Sequence, residues 1–442
     1  MKPNSHFSRR DFLAASSAAL VAANLLSPEE SAAAPTSKLA LHGGEKTVRE
    51  PLPPFVRWGE PERAQLEAML GQDSLFYWQG PQTTLFIERF REICPLEHVM
   101  TCSSGTAALH IAVAAAGVEP GDEVITSPIT DIGTVIGVLY QQAVPVFADL
   151  GRNTYNLDPA DVERRITPKT KAIIPVHLCG NPCDMQALRA IADKHGLILI
   201  EDCCQAWGAR DRGRPIGTSG HIACFSLQNS KHVTCGDGGV VASSDERFGP
   251  LLQRFGDKGL DRLTRGGLFE SFATNYRMSE PQAAVAAAQL SRLEDIATRR
   301  ARLGNLLSEA IADAAGIEPH EVHPDDRCVY WFYMLRVRPE GLRCDRAEFV
   351  KALAAEGVPA SAGYIPVPLY GNPVFQKHGF FAGRWPVKEH DLTSMDYTQV
   401  SCPEAEAILD TGVRVVVREH MSEKYVRSLA EAVCKVAGHY AT

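Results

Sequence analysis

Three chemically active residue types stand at the ends of apolar runs in this chain. Lys231 follows Ile222-Ala-Cys-Phe-Ser-Leu227 and precedes Gly236, Gly238 and Gly239. Asp202 follows Leu197-Ile-Leu-Ile200 and Glu201, and opens Cys-Cys-Gln205-Ala-Trp207. Ser103-Ser-Gly-Thr-Ala-Ala-Leu109 follows Val99-Met-Thr-Cys102. Each has an ordinary reading alone. A Ser-Gly-Thr turn caps helices, a carboxylate at a strand end makes a salt bridge, and a lysine snorkels to the surface. Each also has a chemical one. A helix N-terminus with a hydroxyl receives phosphate. A buried carboxylate needs a partner, such as a protonated pyridine nitrogen. A lysine in an apolar site has a lowered pKa and becomes an amine nucleophile. Together, phosphate cup, aspartate and lysine are the parts that a pyridoxal phosphate site requires.

The elements that must carry them can be read from the pattern. Seven short runs rich in β-branched residues begin at Val99, Val124, Val144, Ala172, Leu197, Ile222 and Gly239. Helical stretches fit between several of them, among them 106–116 and 185–195. Alternation with nearly continuous apolar strands predicts an α/β fold with a covered, mostly parallel seven-stranded sheet. Such sheets bind ligands beyond the carboxyl ends of their strands, where the three features fall. Helices are expected from Glu60 to Leu70 and from Thr84 to Ile93. One long helix is expected from Pro281 past Arg300. An alternating strand from Tyr330, a helix from Arg346 to Glu356 and a helix from Ser422 to Val436 describe a smaller α+β region. The organisation expected is a leader over 1–34, a large cofactor-binding domain with an N-terminal arm over 35–290, and a small domain over 291–442.

Bulk composition narrows the classes. Of 442 residues, 45 are basic and 53 acidic, with the signs interspersed and a net charge of −8. No basic arm points to nucleic acid. The 12 cysteines lie largely in apolar runs and do not read as a disulfide framework. Cys179 and Cys183 have no second pair at metal spacing, so no metal site is expected. The first 34 residues differ from the rest. Ser8, Arg9, Arg10, Phe12 and Leu13 precede an Ala/Leu run ending at Leu26, too short to span a bilayer comfortably. Small residues at 31–34 offer cleavage after Ala33. This resembles a twin-arginine export signal, and implies passage through that machinery as a folded protein to the periplasm or outside. The alternative is an amphipathic leader on a cytoplasmic protein.

Eight ordered segments between about residues 40 and 435 resemble the DegT–StrS type sugar aminotransferases, which are fold-type I pyridoxal phosphate enzymes. They are SSGTAAL, GDEVITSPIT, VPVFADL, KAIIPVHLCGNPCDM, LILIEDCCQAWGA, GTSGHIACFSLQNSKHVTCGDGGVV, NYRMSEPQAAVAAAQLSRL and SCPEAEAI. The resemblance implies Lys231 as the Schiff-base lysine and Asp202 opposite the pyridine nitrogen, with Gln205 near the ring hydroxyl. It implies a phosphate site of Thr106, Ala107 and Ser226. Asn275 would reach the cofactor phosphate of a neighbouring subunit, which makes a homodimer. Glutamate or glutamine would be the amino donor and a keto sugar, nucleotide-linked sugar or cyclitol the acceptor. Two departures stand out. Asp131 follows Thr130 where relatives carry an aromatic residue that stacks on the ring. Trp207 replaces a frequent histidine, and is either a substitute stacking surface or a core aromatic. His177, Tyr364 and Tyr370 lie among the family-like segments without an assigned role. Rival readings are another pyridoxal phosphate reaction, including deoxygenation, where a histidine replaces the lysine and His232 stands next door, and an exported sensor or carrier without turnover.

The leader reading has a direct test. A reporter fused behind residues 1–40 is expected outside the cytoplasm, and the same fusion carrying Arg9→Lys and Arg10→Lys is expected to stay inside. Equal export of both fusions would sink the twin-arginine assignment.

Overall fold

Runs such as Val144–Phe147 and Ile222–Ser226 carry no polar face, and strands of that kind need cover on both sides. The computed structural model describes residues 38–262, 269 and 271–442, so the leader expected over 1–34 lies outside the described residues. Seven strands form one sheet: β1 His98–Cys102, β2 Glu123–Thr126, β3 Val144–Phe147, β4 Thr170–Ile174, β5 Ile198–Asp202, β6 Ile222–Ser226 and β7 Gly239–Ser243. Their order is β1-β7-β6-β5-β4-β2-β3. Pairing is antiparallel on both sides of β7 and parallel elsewhere. Every residue of β3, β6 and β7 is buried. This is the expected α/β architecture.

The cover comes from helices between the strands. In chain order the helices of this part are α1 Glu60–Leu70, α2 Pro81–Ile93, α3 Gly105–Ala115, α4 Gly133–Tyr140, α5 Pro159–Arg164, α6 Met185–His195, α7 Gly249–Gly256 and α8 Glu280–Leu290. α3 is almost wholly Ala, Leu, Ile and Val, and nearly all of it is buried, as befits a helix apolar all round. α6 has one apolar face. It starts at Asp184, whose side chain accepts from the Ala187 N–H, and stops at Gly196 with φ +66°, the usual cap pair.

The long helix expected from Pro281 is instead two. α8 ends at Leu290 and α9 spans Leu293–Ile311. At the break the Ser291 hydroxyl donates to the Ala288 carbonyl at 2.7 Å. Arg292 swings to φ −107°, ψ −1°, from where its guanidinium pairs with Glu62 and donates to the Arg57 carbonyl. Beyond α9 a four-stranded antiparallel sheet forms from β8 Ile317–Glu318, β9 Tyr333–Val337, β10 Ala360–Ala362 and β11 Gly412–Val415, in the order β8-β9-β11-β10. α10 Arg346–Glu356, α11 Pro403–Thr411 and α12 Glu423–Tyr440 accompany it. β9 is not half-exposed, as an alternating strand would be. Met334 belongs to the core that contains Phe147 and Tyr397, while Tyr333 and Leu335 belong to the core against α9 and α12. No helix among the described residues is long and apolar enough to cross a membrane.

One buried carboxylate ties the loop before β6 to β5. Glu201 is fully buried and accepts from the N–H groups of Gly217 at 2.7 Å, Ser219 at 2.9 Å and Gly220. His177 also faces it, at 3.2 Å. The His177 Nδ1 accepts the Cys183 N–H at 3.0 Å, so the ring proton sits on Nε2 and points at Glu201. Burial raises the Glu201 pKa, but His177 and the backbone donors outweigh it and hold the carboxyl below its ordinary value. A depressed folded pKa gives stability that is complete above the unfolded value of about 4.3 and lost as pH falls through the folded one. Glu201→Gln turns an amide N–H₂ onto backbone donors. It is expected to cost about 2–3 kcal/mol in denaturant unfolding at neutral pH, with the difference from the parent protein shrinking below about pH 4. An equal stability at pH 7 would refute the role.

Candidate active site

β1, β5 and β6 run the same way, so their carboxyl ends meet on one edge of the sheet. At the end of β1 the chain turns into α3. The Ser104 hydroxyl caps the helix by accepting the Ala107 N–H at 3.0 Å. That bond uses the Ala107 donor, and the Ala107 side chain is buried. Among the described residues no protein acceptor faces the N–H groups of Gly105 and Thr106. Two glycines let this turn sit against its neighbours. A Cβ on Gly105 would lie 2.8 Å from the Ser226 Cβ and 2.9 Å from the Cys204 sulfur, and one on Gly239 would lie 2.3 Å from the Ser104 carbonyl oxygen. The helix start is thereby pressed onto the end of β6 and the start of β7. Ser226, the last residue of β6, accepts the Gln228 N–H at 3.3 Å, which leaves its hydroxyl proton to donate elsewhere.

Asp202 ends β5. Its Oδ2 accepts from the Thr134 hydroxyl at 2.8 Å, and its Oδ1 from the Cys204 N–H at 3.1 Å. Thr130 stands behind Thr134 at 2.8 Å. Because Thr134 spends its proton on Asp202, Thr130 donates to Thr134. Gln205 accepts the Cys179 N–H through Oε1 at 3.1 Å, and its Nε2 reaches the Tyr364 hydroxyl at 3.5 Å.

Lys231 lies on the loop between β6 and β7, and it is 7% exposed. Contacts from two segments, the N-terminal arm and residues 329–331, pin that loop. Arg57 of the N-terminal arm donates to the carbonyls of Asn229 and Lys231. Trp331 Nε1 donates to the Ser230 carbonyl at 2.8 Å. His232 Nε2 donates to the Val329 carbonyl at 3.1 Å. The Lys231 amine rests 3.8 Å above the centre of the Trp331 ring, a cation–π distance. Among the described residues no carboxylate pairs with it. Burial lowers its pKa, against smaller opposing effects from Cys204, Asp202 and Asp131.

Thr106, Asp202, Gln205, Ser226 and Lys231 line one cavity of about 350 Å³. Ala107, expected at the phosphate, does not line this cavity, and neither does Asn275, which the resemblance directs to a neighbouring subunit's cofactor. Ala107 is buried behind the cap. Asn275 is exposed and its segment bridges to Asp257, away from the cavity. Thr134, Trp331 and Arg57 were missed by sequence reading. Thr134 lies in the first turn of α4, six residues after Pro128, and nothing in its spacing marks it. Trp331 lies in an aromatic run that reads as a strand. Trp207 is a core aromatic, fully buried against Phe90 and Phe225, with Nε1 donating to the Ser226 carbonyl at 2.7 Å. Tyr370 is also core, its hydroxyl donating to Glu406 at 2.6 Å.

This arrangement fits pyridoxal phosphate. At one end of the cavity N–H and hydroxyl donors converge without a protein acceptor, which suits a phosphate. At the other, a carboxylate held by two donors still has lone pairs for a ring N–H. A buried amine without a counter-ion lies between the helix cup and Trp331. The DegT/DnrJ/EryC1/StrS aminotransferase family profile matches residues 58–434. A putative L-glutamine:3-amino-2,3-dideoxy-scyllo-inosose aminotransferase of Streptoalloteichus tenebrarius is 36% identical over 354 residues, 77% of this chain and 83% of that protein. The dTDP-3-amino-3,4,6-trideoxy-alpha-D-glucose transaminase of Streptomyces venezuelae is 35% identical, over 75% of this chain and 85% of its own. The solved structure of NtdA from Bacillus subtilis, with its cofactor PMP bound, superposes with a TM-score of 0.73 at 25% identity, covering 86% of this chain and 83% of that one. Fold, cavity and these likenesses converge on one conclusion: the chain belongs to the DegT/DnrJ/EryC1/StrS family of pyridoxal phosphate-dependent aminotransferases.

Proposed function

We propose that the protein moves an amino group from glutamate or glutamine to the carbonyl of a keto sugar, nucleotide-linked sugar or cyclitol. The observation that carries this reading is the buried, unpaired Lys231 amine facing a cavity that also holds Asp202 and the α3 cup. The two relatives aligned above are named for amination of an inosose and of a nucleotide-linked sugar.

Pyridoxal phosphate, when bound, supplies an aldehyde and an electron-accepting ring through which the amino group passes. The Gly105 and Thr106 N–H groups, the Thr106 hydroxyl and Ser226 would hold its phosphate. Asp202, fixed by Thr134 and Cys204, would keep a proton on its ring nitrogen. Lys231 would hold the aldehyde, and its amine, once freed, would carry a proton from the substrate carbon to the aldehyde carbon, the shift that amino transfer requires. Its burial suits the task, because a lowered pKa leaves more of the amine neutral and basic at working pH. His232 is no substitute. It is buried, its Nε2 is occupied by Val329, and burial pushes its pKa well down. Gln205, which lines the cavity and whose Nε2 reaches the Tyr364 hydroxyl, would stand near the ring hydroxyl.

Two wider readings belong to the same proposal. The protein works as a homodimer, with Asn275 serving the partner's site; the fully exposed Phe272 and the exposed Tyr140 near that segment supply apolar surface for a partner to cover. It acts outside the cytoplasm, on the strength of the leader.

Purified protein loaded with pyridoxal phosphate is expected to show a visible band from the lysine-bound cofactor. Glutamate or glutamine should abolish the band, and a keto sugar or cyclitol should restore it. A band that persists with every donor would sink amino transfer. Lys231→Ala should lack the band and lose at least about 10³-fold in turnover. Asp202→Asn should keep the band and lose about 10²-fold. Light scattering should give twice the chain mass.

A further inference from the structure

A second recess, of about 340 Å³, opens beside the Lys231 cavity and shares Ser230 and Trp331 with it. Four arginines line it, Arg57, Arg300, Arg414 and Arg418, and among the described residues no acidic side chain does. Two of the four are occupied. Arg57 donates to the carbonyls of Asn229 and Lys231. Arg300 pairs with Glu419 at 2.7 Å and donates to the carbonyls of Tyr330 at 3.0 Å and Trp331 at 3.2 Å.

The other two are not. Arg414, on β11, lies with its guanidinium carbon 4.7 Å from the centre of the Phe332 ring. Its Nε is buried with no hydrogen-bond partner. Arg418 lies 5.2 Å from the centre of the Phe55 ring. Neither makes an ion pair among the described residues. A buried N–H without an acceptor is costly, and guanidinium groups crowded together repel one another. Burial lowers the Arg57 pKa to about 10, Glu419 opposes it, and Arg300, Arg418 and Arg292 add smaller downward effects. An oxyanion removes both costs, since the guanidinium fork matches a carboxylate or phosphate with two N–H···O bonds.

The recess is joined to the chemistry by an aromatic wall. Lys231 stands over Trp331, the Trp331 and Phe332 ring centres are 5.2 Å apart, and Arg414 stands over Phe332. Two rings therefore intervene between the amine and the unpaired guanidinium. We propose that Arg414 and Arg418 form an oxyanion site for a substrate whose carboxylate or phosphate lies several bonds from the carbon that reacts at Lys231. The substrate half of this statement rests on the aminotransferase reading; the anion site does not. Two sources share the chemistry, the side-chain carboxylate of a glutamate donor and an acidic group on the acceptor.

The experiment uses the full protein loaded with pyridoxal phosphate, so that the cup at α3 is filled. Inorganic phosphate and glutarate are titrated calorimetrically at low ionic strength. Both should bind the parent protein. Arg414→Gln and Arg418→Gln should each weaken binding about tenfold or more, and Arg414→Lys should weaken it less. Arg418 makes no hydrogen bond through its side chain among the described residues, so Arg418→Gln tests the site even where Arg414→Gln disturbs packing on Phe332. Unchanged affinities in both Gln variants, or no anion binding by the parent, would overturn the site. Single-turnover half-reactions then separate the sources. A defect with glutamate but not glutamine assigns the donor carboxylate. A defect with a phosphorylated but not a neutral keto sugar assigns the acceptor. Calorimetry reads anion binding without turnover, so a failed amino transfer and a failed anion site are told apart.

Discussion

Burying the Lys231 amine with no carboxylate beside it costs free energy that only well-fixed surroundings sustain. Those surroundings come from two distant parts of the chain. Arg57 brings the N-terminal arm onto the carbonyls of the lysine loop. Val329 and Trp331 bring the segment before β9 onto the same loop. The Trp331 face then offers the amine a partial counter-charge. Remove the requirement to hold that amine, and the arm and the 329–331 segment lose their common target. Their placement is intelligible as the means of keeping one nucleophile dry, aimed and weakly basic.

The same economy governs the phosphate end. α3 can approach β6 and β7 only because Gly105 and Gly239 carry no Cβ. That close approach brings Ser226 beside the first donors of the helix. The Ser104 cap takes up the Ala107 N–H and leaves the earlier donors of the turn facing outward. A cap and an anion cup are thus not rival readings of Ser-Gly-Thr. The cap uses one donor and fixes the geometry in which the preceding ones remain free.

How much of this was legible beforehand varies by physical cause. The strands of the large sheet follow from runs of Val, Ile and Leu without a polar face, because burial on both sides leaves that mark. Lys231, Asp202 and the α3 cup were legible as site candidates because each sits at the end of such a run. The split at 291–292 was not. The α8 and α9 sequences are both good helix formers, and the break is made by Arg292 turning to Glu62 and the Arg57 carbonyl, a tertiary pull invisible to local pattern. Trp331 was hidden for a related reason. Aromatic runs read as strands, and a residue just ahead of β9 looks the same whether it packs in a core or stands under an amine. Arg414 was hidden because a lone arginine on a strand reads as solvated, and only the fold shows that its neighbours are arginines and rings.

Asp131 began as an anomaly, a carboxylate where an aromatic was expected. Its placement gives it a local purpose. It lines the Lys231 cavity, and its Oδ1 accepts the Gly133 N–H at 2.8 Å, at the start of α4. The next residue, Thr134, is the one that donates to Asp202. Gly133 is squeezed as well, since a Cβ there would meet the Thr106 hydroxyl at 2.5 Å. One short turn therefore touches the cup through Thr106, starts the helix through Asp131, and orients the Asp202 carboxylate through Thr134. A phenylalanine or tryptophan at 131 would have no side-chain oxygen with which to hold that N–H. The exchange trades a stacking surface for a more firmly fixed Asp202, and it leaves Trp331 as the aromatic side chain that meets the amine.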